Sequence, residues 1–326
     1  MLPIDINNIF SVNESSFDDL CNTVFQFQYQ YNSIYRKWVD LIDALPSERK
    51  IPQKIPALPI SFFKEQQVIT GNWQEQKIFE SSGTTGMVTS RHYVRDLAIY
   101  EQSFIQGFER QYGSIQNWCV LALLPAYLER ENSSLVYMAN KMIEISSHSD
   151  SGFYLYNYDE LAKKLEELEV KGQPTLLLGV TFALLDFSAQ FPLQLKHTIV
   201  METGGMKGRG RELTRKELHE TLIRRLGLRD IHAEYGMTEL LSQAYSNGNG
   251  RYYCPPWMKV FVRKEDDPFE LLLEGTGLIQ IVDLANIYSC SFIATQDIGK
   301  IYADGSFEVL GRMDHAAMRG CSLLVL

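Results

Sequence analysis

The sequence predicts an α/β fold: a mostly parallel sheet flanked by helices, with a smaller β-rich subdomain appended towards the C-terminal end. Three observations predict it. Between residues 118 and 227, apolar runs of strand length alternate with helix-period segments, the pattern of strands joined by crossover helices. The runs Trp118 to Leu124 and Thr175 to Leu178 are continuously apolar, as in strands covered on both faces. After residue 250 the helical period stops and short strand-length segments follow one another.

The elements follow in order. Residues 1–45 read as helical, with Trp38, Val39, Leu41, Ile42 and Leu45 at helical spacing, and Pro46 ends the stretch. Pro46, Pro52, Pro56 and Pro59 make residues 46–60 an extended connector, and Ile60-Ser-Phe-Phe-Lys64 leads from it towards a glycine-rich loop. Asp96 is placed to cap a helix running to about Tyr112, which Gly113 stops. Strand 118–124, helices near 132–146 and 158–170, strand 175–178, helix 180–190 and a strand from His197 to Met201 come next. Thr214 with Glu217 forms a capping box that opens a helix ending near Gly227. Strands are then expected at 258–263, 270–274, 278–283 and 298–310, the last broken by the hairpin signal Ala303-Asp-Gly-Ser. The expected organisation is a helical N-terminal segment with its connector over 1–75, an α/β core over 76–250, and a β-rich subdomain over 251–326 ending in a short arm.

Composition narrows the function classes. The 326 residues carry 31 Lys and Arg against 40 Asp and Glu, a net charge of −9. That balance argues against a nucleic-acid partner, which needs a basic face. A hydrophobic content of 45% with 22% charged residues is that of a globular protein. No apolar run is long enough to cross a membrane and no cationic signal-peptide head is present, so a cytoplasmic protein is expected. Five cysteines without a C-x-x-C pair fit a reducing compartment and supply no metal cage. The six histidines, His92, His148, His197, His219, His232 and His315, share no spacing and are read as satisfied or exposed rather than catalytic.

The segment around which the chain is organised is Phe79-Glu-Ser-Ser-Gly-Thr-Thr-Gly-Met-Val-Thr-Ser-Arg91. Gly83 and Gly86 permit a tight turn whose N–H groups converge, and Ser81, Ser82, Thr84, Thr85 and Ser90 add short donors, a combination suited to polyphosphate. It is not a Walker loop, because only two residues separate the glycines and Met87, not Lys, follows the second. Ligands of open parallel sheets sit at the carboxyl ends of strands. Three further segments stand at such places: Glu202-Thr-Gly-Gly-Met-Lys-Gly-Arg209, Glu234-Tyr-Gly-Met-Thr-Glu239, and Thr295-Gln-Asp-Ile-Gly299 with Gly311-Arg-Met-Asp314.

In type and order these four segments resemble the adenylate-forming (ANL) superfamily of acyl-CoA synthetases, luciferases and peptide-synthetase adenylation domains, over roughly residues 58–321. Leu58-Pro-Ile-Ser-Phe-Phe-Lys64, Leu124-Pro-Ala-Tyr-Leu-Glu-Arg130, Gly204-Gly-Met-Lys-Gly208, Cys254-Pro-Pro-Trp-Met258 and Arg319-Gly-Cys-Ser-Leu323 are similar to one branch of it, the LuxE-type acyl-protein synthetases. The resemblance implies ATP-dependent activation of a carboxylic acid, fatty in that branch, as acyl-AMP, then transfer to a cysteine thiol for a partner such as an acyl reductase. It implies the ANL large N-terminal domain as the fold.

Site roles carry over from the same resemblance. Ser82, Gly83, Thr84, Thr85 and Gly86 would hold the β and γ phosphates of ATP, with Arg91 as the basic residue near the loop's end. Thr238 would contact the α-phosphate and Glu239 would ligate Mg²⁺, a hard cation that one carboxylate can hold together with phosphate oxygens and waters. Tyr235 would pack on the adenine, Gly204, Gly205 and Gly236 would belong to the cofactor-binding set, and Asp297, assisted by Arg312, would accept from the ribose hydroxyls. Tyr127 and Tyr137 are expected near the acyl pocket. Cys321 stands where LuxE-type enzymes carry their acyl-accepting cysteine, beside Arg319, which would favour the thiolate; the alternative is a cysteine packed in a terminal strand.

One departure from the pattern is expected to matter. Full-length superfamily members continue after Gly-Arg-x-Asp into a lid domain bearing a transition-state lysine, whereas this sequence stops twelve residues after Asp314. Lys64, Lys207 and Arg209 are the candidates for a substitute within the chain; a partner subunit completing the site and a loss of activity are the other options. Two rival functions stay open: a ligase acting on coenzyme A or a carrier-protein thiol, and a non-catalytic acyl-binding subunit.

Overall fold

The computed structural model describes residues 4–43, 51–81, 89–124, 132–204, 213–264 and 270–313. It divides into two compact units, Met1–Gln74 with Pro256–Leu326, and Glu75–Pro255. The N-terminal helices therefore share a unit with the β-rich end of the chain.

In the first unit, α1 (Ile6–Phe10), α2 (Glu14–Tyr31) and α3 (Ser33–Leu41) replace the single helical stretch expected over 1–45. Asn32 makes the break. Its backbone is extended, and its side-chain oxygen accepts from the N–H groups of Ile34 and Tyr35, so one residue ends α2 and caps α3. The connector forms a 3₁₀ turn at Pro52–Lys54 and then β1 (Leu58–Pro59), followed by the helical turn α4 (Phe62–Glu65).

The second unit opens with an antiparallel ribbon, β2 (Lys77–Glu80) and β3 (Arg91–Val94). There follow α5 (Leu97–Tyr112), β4 (Cys119–Leu123), α6 (Ser134–Ser146), β5 (Gly152–Tyr154), α7 (Tyr158–Lys171), β6 (Thr175–Val180), α8 (Thr181–Gln190), β7 (Thr198–Thr203), α9 (Arg215–Leu226), β8 (His232–Tyr235) and β9 (Ala244–Ser246). Asp96 caps α5 through the N–H of Ala98, and Gly113 ends it with φ 75°. The Thr214/Glu217 capping box opens α9. The strands form one sheet in the order β5-β4-β6-β7-β8-β9, parallel up to β8, with β9 antiparallel at the edge. Every residue of β4 and β6 is buried, which is why their sequences run apolar without alternation.

The chain then completes the first unit with β10 (Met258–Arg263), β11 (Leu271–Leu272), β12 (Gly275–Asp283), β13 (Phe292–Ile301) and β14 (Phe307–Arg312). These pair antiparallel in the order β13-β12-β10-β11, with β14 also on β13 and β1 added in parallel at Leu58↔Ile293. Buried Gln28 of α2 fastens the helices to this sheet: its amide donates to the carbonyls of Asn286 and Ile287 and accepts from the N–H of Ser291. Tyr35 stacks on Phe292 at 5.8 Å and Phe25 meets the same ring edge-on at 6.2 Å, pairs worth about 0.5–1.5 kcal/mol each beyond their buried area.

Candidate active site

The glycine-rich segment joins β2 to β3, so its two ends are held one strand spacing apart. Glu80 pairs with Arg91 across the ribbon, the N–H of Ser81 donates to the Ser90 carbonyl at 3.0 Å, and the N–H of Ser90 donates to Ser81 Oγ at 2.9 Å. Arg91 is exposed at the mouth of this hairpin. Ser82, Gly83, Thr84, Thr85 and Gly86 lie outside the described residues.

His92, next along β3, is 1% exposed, and its Nδ1 lies 2.8 Å from the carbonyl oxygen of Thr238. This contact brings the strand leaving the glycine-rich loop to the Tyr235-Gly-Met-Thr-Glu239 segment, 146 residues later. That segment leaves β8 as a turn closed by the Leu240 N–H on the Met237 carbonyl at 3.1 Å. Glu239 is buried at 5% exposure. Tyr235 is buried with its ring 5.8 Å from Tyr252, over which the Arg215 guanidinium sits at 5.2 Å.

Two buried carboxylates to which the sequence assigns no role, Glu202 and Glu234, stand near the ends of the neighbouring strands β7 and β8. Glu202 accepts from Thr181 Oγ1 at 3.1 Å, lies 3.3 Å from Arg215 Nε, and has His219 Nε2 at 3.5 Å. Glu234 accepts from Thr203 Oγ1 at 2.5 Å. Burial pushes the Glu234 carboxyl up to about 7, Thr203 opposes that, and the charge of Glu202 adds to it. Gly236 follows directly above: a Cβ there would come 2.3 Å from Glu234 Oε1. Gly204, with φ 75°, turns the chain away from β7, and its carbonyl accepts from Thr181 Oγ1 at 2.9 Å; Gly205 lies outside the described residues.

In the other unit, Asp297 and Arg312 are direct cross-strand partners of β13 and β14. The Asp297 N–H donates to Thr295 Oγ1 at 3.2 Å, and Arg312 is exposed. Tyr137 packs within 5.9 Å of Tyr100 and 5.7 Å of Phe79, and its hydroxyl donates to Glu101. Cys321 and Tyr127 lie outside the described residues, as do Lys207 and Arg209. Cys21, Cys119 and Cys290 are buried and Cys254 is half-buried.

Among the described residues no three His, Cys, Asp or Glu side chains converge as a metal cage. A buried carboxylate such as Glu239 suits a Mg²⁺ whose other ligands are phosphate oxygens and water. Among the same residues no helix is long and apolar enough to cross a membrane.

The fold is similar to that of adenylate-forming ligases. A 2-hydroxyisobutyryl-CoA ligase in an open conformation, in complex with 2-HIB-AMP and CoA, superposes with a TM-score of 0.66 at 9% identity, covering 95% of this chain and 78% of that one. The same ligase in its thioesterification state gives 0.65 at 10% identity, covering 93% and 68%. The O-succinylbenzoate coenzyme A synthetase of Bacillus subtilis, with ATP and magnesium ion, gives 0.50 at 15% identity, covering 90% and 62%. A search of curated proteins returns no match. Residues 12–326 match the family described as Acyl-protein synthetase, LuxE. The chain belongs to that family and is an ATP-dependent acid–thiol ligase, activating an acid as its adenylate and forming a thioester.

Proposed function

We propose that the acid is a fatty acid and that Cys321 receives the acyl group from acyl-AMP for delivery to a protein partner such as an acyl reductase. The family match over residues 12–326 is the observation that carries this reading. The acid's carboxylate attacks the α-phosphorus of ATP, a P–O bond to pyrophosphate breaks, and the mixed anhydride forms. The Cys321 thiolate then attacks the acyl carbon and AMP leaves.

In this reading Ser82, Gly83, Thr84, Thr85 and Gly86 cradle the β and γ phosphates, and exposed Arg91 stands at the hairpin mouth to neutralise them. Thr238 donates to the α-phosphate, and Glu239 holds Mg²⁺, which offsets charge on the phosphate oxygens when bound. Tyr235 packs on the adenine, its ring lying against Tyr252, and Gly204, Gly205 and Gly236 complete the nucleotide-binding set. Asp297 accepts from the ribose hydroxyls with Arg312 beside it on the same rung.

The test is acid-dependent exchange of pyrophosphate into ATP across fatty acids of graded length and aryl acids. Exchange with fatty acids is expected; silence with every acid would sink the reading. Cys321→Ser is expected to keep the exchange and to lose acylation of the protein. Undiminished transfer to coenzyme A by that variant would replace the cysteine with a free thiol as acceptor.

A further inference from the structure

The β2–β3 ribbon is a two-stranded sheet of its own, so no ladder sets its place against the six-stranded sheet that carries the Thr238 turn. Besides the packing of Phe79 on Tyr100 and Tyr137, hydrogen bonds tie both of its strands to the rest of the unit. At the β2 end, Glu80 donates its N–H to the Asn132 carbonyl at 2.8 Å and accepts from Asn132 Nδ2 at 3.3 Å. At the β3 end, His92 Nδ1 meets the Thr238 carbonyl at 2.8 Å. A carbonyl oxygen only accepts, so the proton of the neutral ring must sit on Nδ1.

The bond grips a particular peptide unit. The turn at 237–240 is closed by the Met237 carbonyl and the Leu240 N–H, and the Thr238 carbonyl takes no part in that closure. This carbonyl belongs to the same planar peptide as the Glu239 N–H. Holding it orients the backbone between the residue assigned to the α-phosphate and the residue assigned to the metal. The other end of the tie is one residue from Arg91 and two from Ser90, where the glycine-rich loop closes.

The geometry points to His92 as a positioning residue that ties the β2–β3 ribbon to the Thr238–Glu239 peptide and so fixes that peptide for the phosphate and metal roles proposed above. The inference rests on the roles given above to the loop and the turn. It adds a residue that acts through a main-chain carbonyl.

Three proteins test it: the wild type, His92→Phe, which keeps the ring volume and loses the donor, and His92→Asn, whose amide nitrogen can take the place of Nδ1. His92→Phe is expected to raise the KM for Mg·ATP in pyrophosphate exchange by about tenfold, the effect of leaving one buried acceptor unpaired. The KM for the acid should stay within about twofold, and His92→Asn should recover most of the loss. An unchanged KM for Mg·ATP in the Phe variant, or a loss that Asn leaves untouched, overturns the inference. Calorimetric binding of Mg·ATP to the same proteins separates the two levels. A wild type silent in exchange, but with nucleotide binding that weakens in His92→Phe, discards the fatty-acid reading and keeps the tie. Should His92→Phe fail to fold, ¹⁵N-histidine spectra of the unaltered protein decide. They should show His92, assigned from the spectrum of His92→Asn, as the Nδ1-protonated tautomer, shifting on addition of Mg·ATP while His148, on the loop after α6, stays put. An Nε2-protonated His92, or no response to Mg·ATP, overturns it.

Discussion

Asp297 and Arg312 stand directly opposite each other on the β13–β14 ladder, beside the register shift at Ile298 and Gly299. The hairpin that returns the chain between them closes through the Tyr302 N–H on the Ser306 carbonyl and the Gly305 N–H on the Tyr302 carbonyl. A half-buried carboxylate and an exposed cation thus share one rung, with the Asp297 backbone pinned by Thr295. Asp297→Ala is expected to raise the KM for ATP by about tenfold to a hundredfold, the scale of hydrogen bonds to a charged group. Arg312→Ala should cost less, because its side chain is exposed and screened. The double variant should lose less than the product of the two, since the residues are neighbours. Pyrophosphate exchange at graded ATP measures all three, and strict multiplicativity would show that they act apart.

Glu234 makes stability depend on pH in an identifiable direction. Burial raises its carboxyl from 4.5 to about 7, so between those values the folded protein keeps a proton that the unfolded chain releases. Stability from this group therefore falls as pH rises through that window, by on the order of 3 kcal/mol in full. Glu234→Gln keeps the acceptor for Thr203 Oγ1 and removes the ionisation. Urea midpoints at pH 5, 6, 7 and 8 should fall across the series in the wild type and fall less in the variant, with Glu234→Gln the more stable at pH 8. Parallel curves would contradict the assignment.

The local signals in the sequence were sufficient where one element decides its own limits. Asp96 and Gly113 bound α5, Thr214 and Glu217 open α9, and the unbroken apolar runs become the fully buried β4 and β6. The ribbon β2–β3 and the three-residue β5 and β9 were not legible, because four residues or fewer give no usable period and their partners are distant. Asn32 was hidden for a related reason: its neighbours on both sides keep helical spacing, and only the cap geometry reveals the break. In the site, Asp297 and Arg312 are named in the sequence as members of two segments, and only the β13–β14 ladder shows that they face each other. Glu202 and Glu234 open two of the named segments yet receive no role there, since a buried acid is recognised by the strands around it, and the partner of His92 lies 146 residues away.

Gly236 is required by the side chain beneath it. A Cβ at this position would fall 2.3 Å from Glu234 Oε1 and 3.3 Å from Gln243 Cγ, and Glu234 has little freedom to withdraw because its other oxygen is bound to Thr203. Gly236→Ala should destabilise the protein by roughly 1–3 kcal/mol, the range for overpacking a filled interior. It should also weaken ATP binding by displacing Tyr235. Adding Glu234→Ala opens the space and is expected to return part of the stability, which denaturant midpoints of the single and double variants measure. Independent, additive losses would show that the clash is elsewhere.

The cysteines divide by environment, and that division makes acyl transfer traceable. Burial pushes the thiols of Cys119 and Cys290 up to about 11 and about 12, and Cys21 higher still, so at neutral pH these three hold almost no thiolate, the form that attacks an acyl-adenylate. Of the protein's own cysteines, Cys254, half-buried, and Cys321 are therefore the candidates for the acceptor role proposed above. With ATP, Mg²⁺ and a reactive acid, the protein should gain one acyl group that hydroxylamine removes. Peptide mass mapping should place it on the segment containing Cys321. Cys21→Ala, Cys119→Ala and Cys290→Ala should leave that adduct in place, whereas Cys321→Ser abolishes it without lowering pyrophosphate exchange. An adduct on Cys254 would move the acceptor to the loop between β9 and β10.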